Sequence, residues 1–233
     1  MKRIIYMFIR GFGTVLRLVV NVNKMGKADN YTQTEKYEVI REKVVELNKA
    51  GKIKIEVHGK ENLPEKSGYI IFSNHQSVFD ILCLIESDPT PFSIVYKMEI
   101  SNWIFFGNVM KCLNSIPINR KSKRQSIEAI RSVSKRVMNG ANVLMFPEGT
   151  WSKIGNELLL FKSGSFKSAI WAKCPIVPVV LIDAYIPYQS HNTKEATVKV
   201  YYLKPLYYED YIGLNSKELS EKIRNSMLRV TKK

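Results

Sequence analysis

From Lys52 onward the chain alternates short apolar runs with longer amphipathic stretches, and this alternation leaves few architectures open to it. Residues 53–58, 69–73, 92–96, 115–119, 142–146, 176–183 and 197–202 read as strands, rich in β-branched and aromatic side chains. Helices are predicted over 78–87, 99–112, 122–139, 164–173 and 215–231. The 122–139 stretch sends Ile127, Ile130, Val133 and Val137 inward, with Arg124, Arg131, Lys135 and Arg136 outward. Strand and helix in alternation call for an α/β fold, a central, mostly parallel sheet flanked by helices. Sites in such sheets open beyond the carboxyl ends of strands. His75, Arg120 and Glu148 each follow an expected strand, so one crevice can collect all three.

Ahead of this expected 52–233 domain, residues 1–51 read as a two-helix hairpin. Residues 4–22 are rich in Ile, Phe, Leu and Val, yet Arg3, Arg10, Arg17 and Lys24 recur at every seventh position. On one continuous helix such cations drift only about 20° per step and form a basic stripe opposite the apolar face. That pattern suits an interfacial helix. A spanning helix would sink Arg10 or Arg17 into hydrocarbon at about 2.5 to 3.5 kcal/mol each. Gly11 and Gly13 break the apolar stretch, and a cleaved signal peptide is disfavoured because no uninterrupted apolar core leads to a small-residue cleavage site. Thr32-Gln33-Thr34-Glu35 then forms a capping box for a helix with Tyr37, Ile40, Val44 and Leu47 on one side. The hairpin either docks on a membrane surface with anionic lipids or packs on the domain core.

Chemistry concentrates at the strand tips. Asn74-His75-Gln76-Ser77-Val78-Phe79-Asp80 sets a histidine five residues before a carboxylate. On one helix those side chains would stand about 140° apart, so they meet only if His75 lies on the loop and Asp80 in the first helical turns. Such a pair fixes the imidazole tautomer and frees the second ring nitrogen as a base. Ser77-Val78-Phe79-Asp80 equally fits a capping box in which Asp80 bonds back to Ser77. Phe146-Pro147-Glu148-Gly149-Thr150 ends a strand in a turn, Arg120 closes another, and Lys162 and Lys167 flank a glycine at an expected helix start. Either a phosphate site or solvated basic loops would look this way.

Charge and cysteine content narrow the rest. The 36 Lys and Arg against 21 Asp and Glu leave a net charge of +15 over 233 residues, which points to a polyanionic partner. No helix-turn-helix, RNP or zinc-finger pattern accompanies it, so nucleic acid is not the expected partner. Cys83, Cys112 and Cys174 sit in apolar surroundings and read as reduced core thiols. His58, His75 and His191 are far apart and no HExxH occurs, so no metal is expected.

These blocks in order resemble the 1-acyl-sn-glycerol-3-phosphate acyltransferase family. Its NHxSxxD motif corresponds to Asn74 to Asp80, its strand ending in arginine to Ile118 to Arg120, its FPEGT turn to Phe146 to Thr150, and its Val-Pro segment to Ile176-Val177-Pro178-Val179-Val180. The resemblance covers roughly residues 52–205. It implies transfer of a fatty acyl group from acyl-CoA or acyl-carrier protein to the 2-hydroxyl of lysophosphatidic acid, forming phosphatidic acid in phospholipid biosynthesis. The acyl thioester is a co-substrate, and no cofactor is implied. In that scheme His75 is the general base and Asp80 its orienting partner, with no acyl-enzyme. Glu148, Gly149 and Thr150 would shape the acceptor pocket, and Arg120 and Lys162 would hold its phosphate. Gln76 favours lysophosphatidic acid by the same resemblance; glycerol 3-phosphate or another lysophospholipid is the alternative acceptor. Family members commonly carry arginine after FPEGT, whereas this chain has Trp151. The phosphate contact is then missing, shifted to Lys153 or Lys162, or exchanged for packing against lipid. The expected location is the cell membrane, peripheral or monotopic, with the active site facing the cytoplasm. The outward cations of the 122–139 helix would offer a docking face for an acidic carrier protein or the phosphates of CoA.

Overall fold

A computed structural model describes residues 2–27, 30–190 and 192–231; His191 lies outside them. The strands are β1 (Ile53–His58), β2 (Ile70–Ser73), β3 (Phe92–Lys97), β4 (Ile116–Ile118), β5 (Asn142–Met145), β6 (Ile176–Ile182) and β7 (Ala196–Tyr202). The helices are α1 (Lys2–Arg10), α2 (Phe12–Met25), α3 (Gln33–Ala50), α4 (Phe79–Ser87), α5 (Ile104–Cys112), α6 (Lys123–Met138), α7 (Lys167–Ala172), α8 (Ile186–Gln189) and α9 (Ser216–Thr231). One sheet runs in the order β1-β7-β6-β2-β5-β3-β4. Strands β6, β2, β5, β3 and β4 are mutually parallel, and β7 turns antiparallel against β6 with β1 parallel to it.

The central strands are buried on both sides, which is why they read as unbroken apolar runs. Their period-two pleat divides the core into two layers. Ile71, Ile94, Leu144, Val177 and Leu181 face α1 to α5, while Ile70, Phe72, Val143, Met145 and Val180 face α6, α7 and α9. Within α6, Ile130, Val133 and Val137 are buried as expected, but Ile127 is 40% exposed. It sits on the helix's first turns and lines a cavity at the strand tips instead of the core. The predicted 99–112 helix splits at Trp103, where a 3₁₀ turn, Met98–Asn102, gives way to α5.

The leader is not one straight helix followed by a second. An 80° bend separates α1 from α2. Gly11 stands at the bend, and a Cβ there would come within 2.8 Å of the Leu47 side chain, so only glycine lets the corner press onto α3. The bend also dismantles the expected basic stripe, whose phase argument holds only along a continuous axis. Arg3 is fully buried and donates to the carbonyls of Gly51 at 2.9 Å and Lys194 at 2.7 Å, closing the end of α3. Arg10 donates to the Tyr6 hydroxyl at 2.7 Å, and Arg17 makes an exposed pair with Glu46 at 3.4 Å. All three leader helices share the core layer of the sheet's first face through Met7, Leu18, Val22, Tyr37 and Ile40. The Thr32 capping box is formed in both directions.

Replacing Arg3 by Met orphans those carbonyls and should lower unfolding free energy by about 1.5 to 3 kcal/mol, the range for hydrogen bonds to charged groups. Arg17→Met, at a solvated pair, should cost under about 1 kcal/mol. Urea unfolding of both variants checks the contrast; equal costs would restore the stripe.

Candidate functional site

His75 and Asp80 do meet. The loop after β2 carries His75, the first turn of α4 carries Asp80, and the imidazole Nδ1 lies 2.6 Å from Asp80 Oδ2. Asp80 is completely buried, and its carboxylate also accepts from the backbone N–H groups of Gln76 at 2.5 Å and Ser77 at 3.0 Å. A carboxylate only accepts, so Nδ1 carries the proton and Nε2 keeps its lone pair. The capping-box reading holds as well, in part. Asp80 bonds back to Ser77 N–H, but the Ser77 hydroxyl accepts from Phe79 N–H at 3.1 Å and donates to the Ala184 carbonyl at 2.6 Å. One side chain thus satisfies the loop backbone and orients the ring.

Three loops, those after β2, β5 and β6, converge around this pair. Asn74 extends β2 sideways: its amide donates to the Leu181 carbonyl at 2.9 Å and accepts from Leu181 N–H at 2.8 Å, imitating a strand rung to β6. Ser152 N–H reaches the His75 carbonyl at 2.7 Å, tying the segment after Thr150 to the catalytic-type loop. Phe146 stacks on the imidazole with centroids 4.0 Å apart, and Trp151 meets it edge-on at 5.9 Å while also touching Tyr188. Gln76, which favours lysophosphatidic acid only by resemblance, has its amide engaged within the chain. Its amide nitrogen donates to Asn156 Oδ1 and the Leu181 carbonyl, and its oxygen accepts from Tyr185 N–H. Asn156 in turn holds Asp183, whose φ of +65° is uncommon for a side chain of any kind.

Arg120 and Lys162 come together at Gly149. The Arg120 guanidinium donates to the Gly149 carbonyl, Lys162 N–H to the Pro147 carbonyl at 2.8 Å, and the Lys162 side chain lies across the glycine. With φ at +69° and the Lys162 ammonium 2.9 Å from where a Cβ would stand, a side chain at position 149 would be strained and would push Lys162 aside. On the same turn Glu148 is buried, and neither carboxyl oxygen closes a hydrogen bond. Burial pushes its pKa up to about 8, with the nearby Asp80 charge adding to the rise; the His75 and Leu159 N–H groups only partly oppose it. Glu148 is therefore mostly uncharged at neutral pH.

Two cavities flank the strand tips. The larger, about 510 Å³, lies on the face of α1 to α5, is reached past His75, Thr150 and Trp151, and is walled by apolar side chains such as Leu18, Val44, Ile81 and Ile85. A second, about 350 Å³, opens on the α6 face and includes Gly149 and Lys162. Arg120 and Phe146 border both. Of the outward α6 cations, Arg136 is drawn to the Asn114 carbonyl and Arg124 to Glu128, so the expected docking face is partly engaged within the chain.

Phe146 and Trp151 as ring partners, and the Asn156–Asp183 brace, were not legible beforehand. The first two follow the FPEGT turn closely enough to be suspected, but Asn156 meets Gln76 across 80 residues with no pattern to announce it.

A family model described as Acyltransferase matches residues 54–182. A 1-acyl-sn-glycerol-3-phosphate acyltransferase of Borreliella burgdorferi is 36% identical over 131 residues, covering 56% of this chain and 52% of the relative. The alpha form of that enzyme from Mus musculus is 30% identical over 182 residues, covering 76% and 64%. The chain thus spans between about half and two thirds of the length of these curated relatives. The solved structure of the 1-acyl-sn-glycerophosphate acyltransferase PlsC from Thermotoga maritima superposes with a TM-score of 0.76 over 99% of this chain and 96% of that one. At 18% identity this shows the fold.

Glu148 yields a pH test. The folded chain keeps its proton up to about pH 8 whereas an ordinary glutamate loses it near 4.5. Its contribution is full below that lower value, declines as pH rises between the two, and is lost above the upper one. Urea midpoints of Glu148→Gln should therefore gain on the parent as pH is raised from about 5 to about 8.5. A pH-independent difference would contradict the buried neutral carboxyl.

Proposed function

The chain belongs to the acyltransferase family, and we propose that it transfers a fatty acyl group from an acyl thioester to the 2-hydroxyl of 1-acyl-sn-glycerol 3-phosphate, forming phosphatidic acid. The observation that carries this reading is the His75–Asp80 pair, set between an apolar cavity and a turn bearing two cations. His75 Nε2 takes the hydroxyl proton as the oxygen attacks the thioester carbonyl. The carbon–sulfur bond then breaks and the departing thiolate takes the proton from Nε2. Asp80 keeps the ring in the productive tautomer and balances the imidazolium while it exists. No acyl-enzyme is required, and the three cysteines are buried free thiols, with burial pushing the Cys83 and Cys174 thiols up, against the thiolate form.

Arg120 and Lys162 hold the acceptor phosphate over Gly149, with Thr150 on the side of the larger cavity and the buried Glu148 shaping the turn between them. That cavity takes the donor's acyl chain, its apolar wall offering about 25 cal/mol per Å² of chain surface removed from water. Acyl-CoA and acyl-carrier protein both present such a thioester. Trp151, where relatives of this type commonly carry arginine, packs against His75 and lines the donor cavity, so Lys162 serves the phosphate instead.

The chain works on a membrane surface from its cytoplasmic side, as a peripheral or monotopic protein. Among the described residues no single helix is long and apolar enough to cross a bilayer. Ile5, Ile9, Phe12, Leu16 and Val20 recur at helical spacing along α1 and α2 yet are 55% to 72% exposed. Trp103 and Phe106 extend the apolar surface across α5, which Asn108 ties to α2 through Asn23 at 2.8 Å. A patch of this kind inserts at the headgroup boundary, with the exposed Lys24 at the end of α2 to meet anionic lipids.

Purified protein given palmitoyl-CoA or palmitoyl-carrier protein should acylate lysophosphatidic acid in preference to glycerol 3-phosphate and other lysophospholipids. His75→Ala should lose roughly 10² to 10⁴ in turnover while the purified protein remains folded by circular dichroism. Full turnover in that variant, or a trapped acyl-enzyme, would sink the mechanism. Phe12→Asp combined with Leu16→Asp should reduce cosedimentation with phosphatidylglycerol vesicles; undiminished binding would remove α1 and α2 from the membrane contact.

A further inference from the structure

The cavity on the α6 face is more than a phosphate site. Its cations are Arg120, Lys123, Lys162 and Lys167, and among the described residues none of them is in an ion pair. No carboxylate or amide side chain lines it, so little there would recognise a sugar or a base. Its floor is apolar: Ile118, Ile130 and Met145, with Phe146 at the border. Ile127 on α6 and Trp171 on α7 flank it while remaining 40% and 41% exposed. The complementary ligand carries an anion at one end and a hydrocarbon at the other.

We propose that this cavity holds the acyl chain already present on the lysophospholipid acceptor, so that the two lipid chains of the reaction lie on opposite faces of the sheet. The inference rests on the acceptor reading given above and adds where the acceptor's tail goes. Gly149 and Lys162 line the α6-face cavity and not the larger one, whereas His75 and Thr150 line the larger one and not this. A phosphate at Gly149 therefore anchors the acceptor on the α6 side. Its 2-hydroxyl crosses the Phe146 border to His75, which stacks on that ring, while the 1-acyl arm stays behind against Ile127, Ile130 and Trp171. The donor's chain enters from the other face, and the reacting atoms meet where Arg120 and Phe146 belong to both cavities.

The test compares palmitoyl- and hexanoyl-lysophosphatidic acid as acceptors for the full chain and for Ile127→Asp, a change on an exposed helix position, with Trp171→Ala as a second variant. The ratio of kcat/KM for the long over the short acceptor should fall at least about tenfold in Ile127→Asp, mainly through KM, with a smaller fall in Trp171→Ala. Preference between octanoyl- and palmitoyl-CoA should keep the parent's ratio. If both acceptors lose equally, or if donor chain preference shifts instead, the assignment of this cavity is overturned while acceptor chemistry stands. A parent protein that acylates neither lysophosphatidate overturns the acceptor reading and this one with it.

Discussion

Everything at the strand tips depends on one buried anion that has no cation beside it. Asp80 is wholly removed from water, and its charge is borne by the His75 ring and by the N–H groups of Gln76 and Ser77. A carboxylate in such a place is tolerable only while those donors stay aimed at it. The loop after β2 has no freedom to relax, because opening it would strand the charge. Asn74 and Ser77 then fasten the same loop to the end of β6, through Leu181 and Ala184. The ring orientation that an acyl transfer needs is thus a by-product of solvating a carboxylate with backbone.

Electrostatics on the neighbouring turn follow the opposite rule. Arg120 and Lys162 stand close to Gly149 with no salt bridge to either among the described residues, and on the same turn the Glu148 carboxyl is pushed toward its neutral form by burial. Two buried carboxyls thus flank the same histidine in different surroundings, Asp80 met by three close donors and Glu148 by none that closes a hydrogen bond.

The sheet was legible because its central strands are apolar on both faces, a pattern that needs no knowledge of partners to interpret. The pairing of His75 with Asp80 was legible too, since five residues spanning a loop and a helix start leave few geometries. Elsewhere the sequence reading assumed regularity that the chain breaks. The basic stripe presumed an unbroken axis, and Gly11, visible as an interruption, turned out to be a corner that buries Arg3. Ile127 fits the helical period of its buried neighbours, but period says nothing about where the sheet beneath the helix ends. The motif says nothing of what Gln76 touches: its amide is consumed by Asn156, Leu181 and Tyr185, contacts set by tertiary structure between segments 80 or more residues apart.

The Arg3 contact with Lys194 bridges 191 residues, and Met7, Leu18 and Val22 pack into a core layer built largely from later strands. During synthesis α1 and α2 emerge long before β6 and β7 exist to receive them. Their apolar side chains, both those destined for the core and those left exposed, must wait in contact with something other than their final neighbours. The Arg3 contact with Lys194 can close only once the segment leading into β7 is in place, so the docking of the leader waits on the far end of the chain.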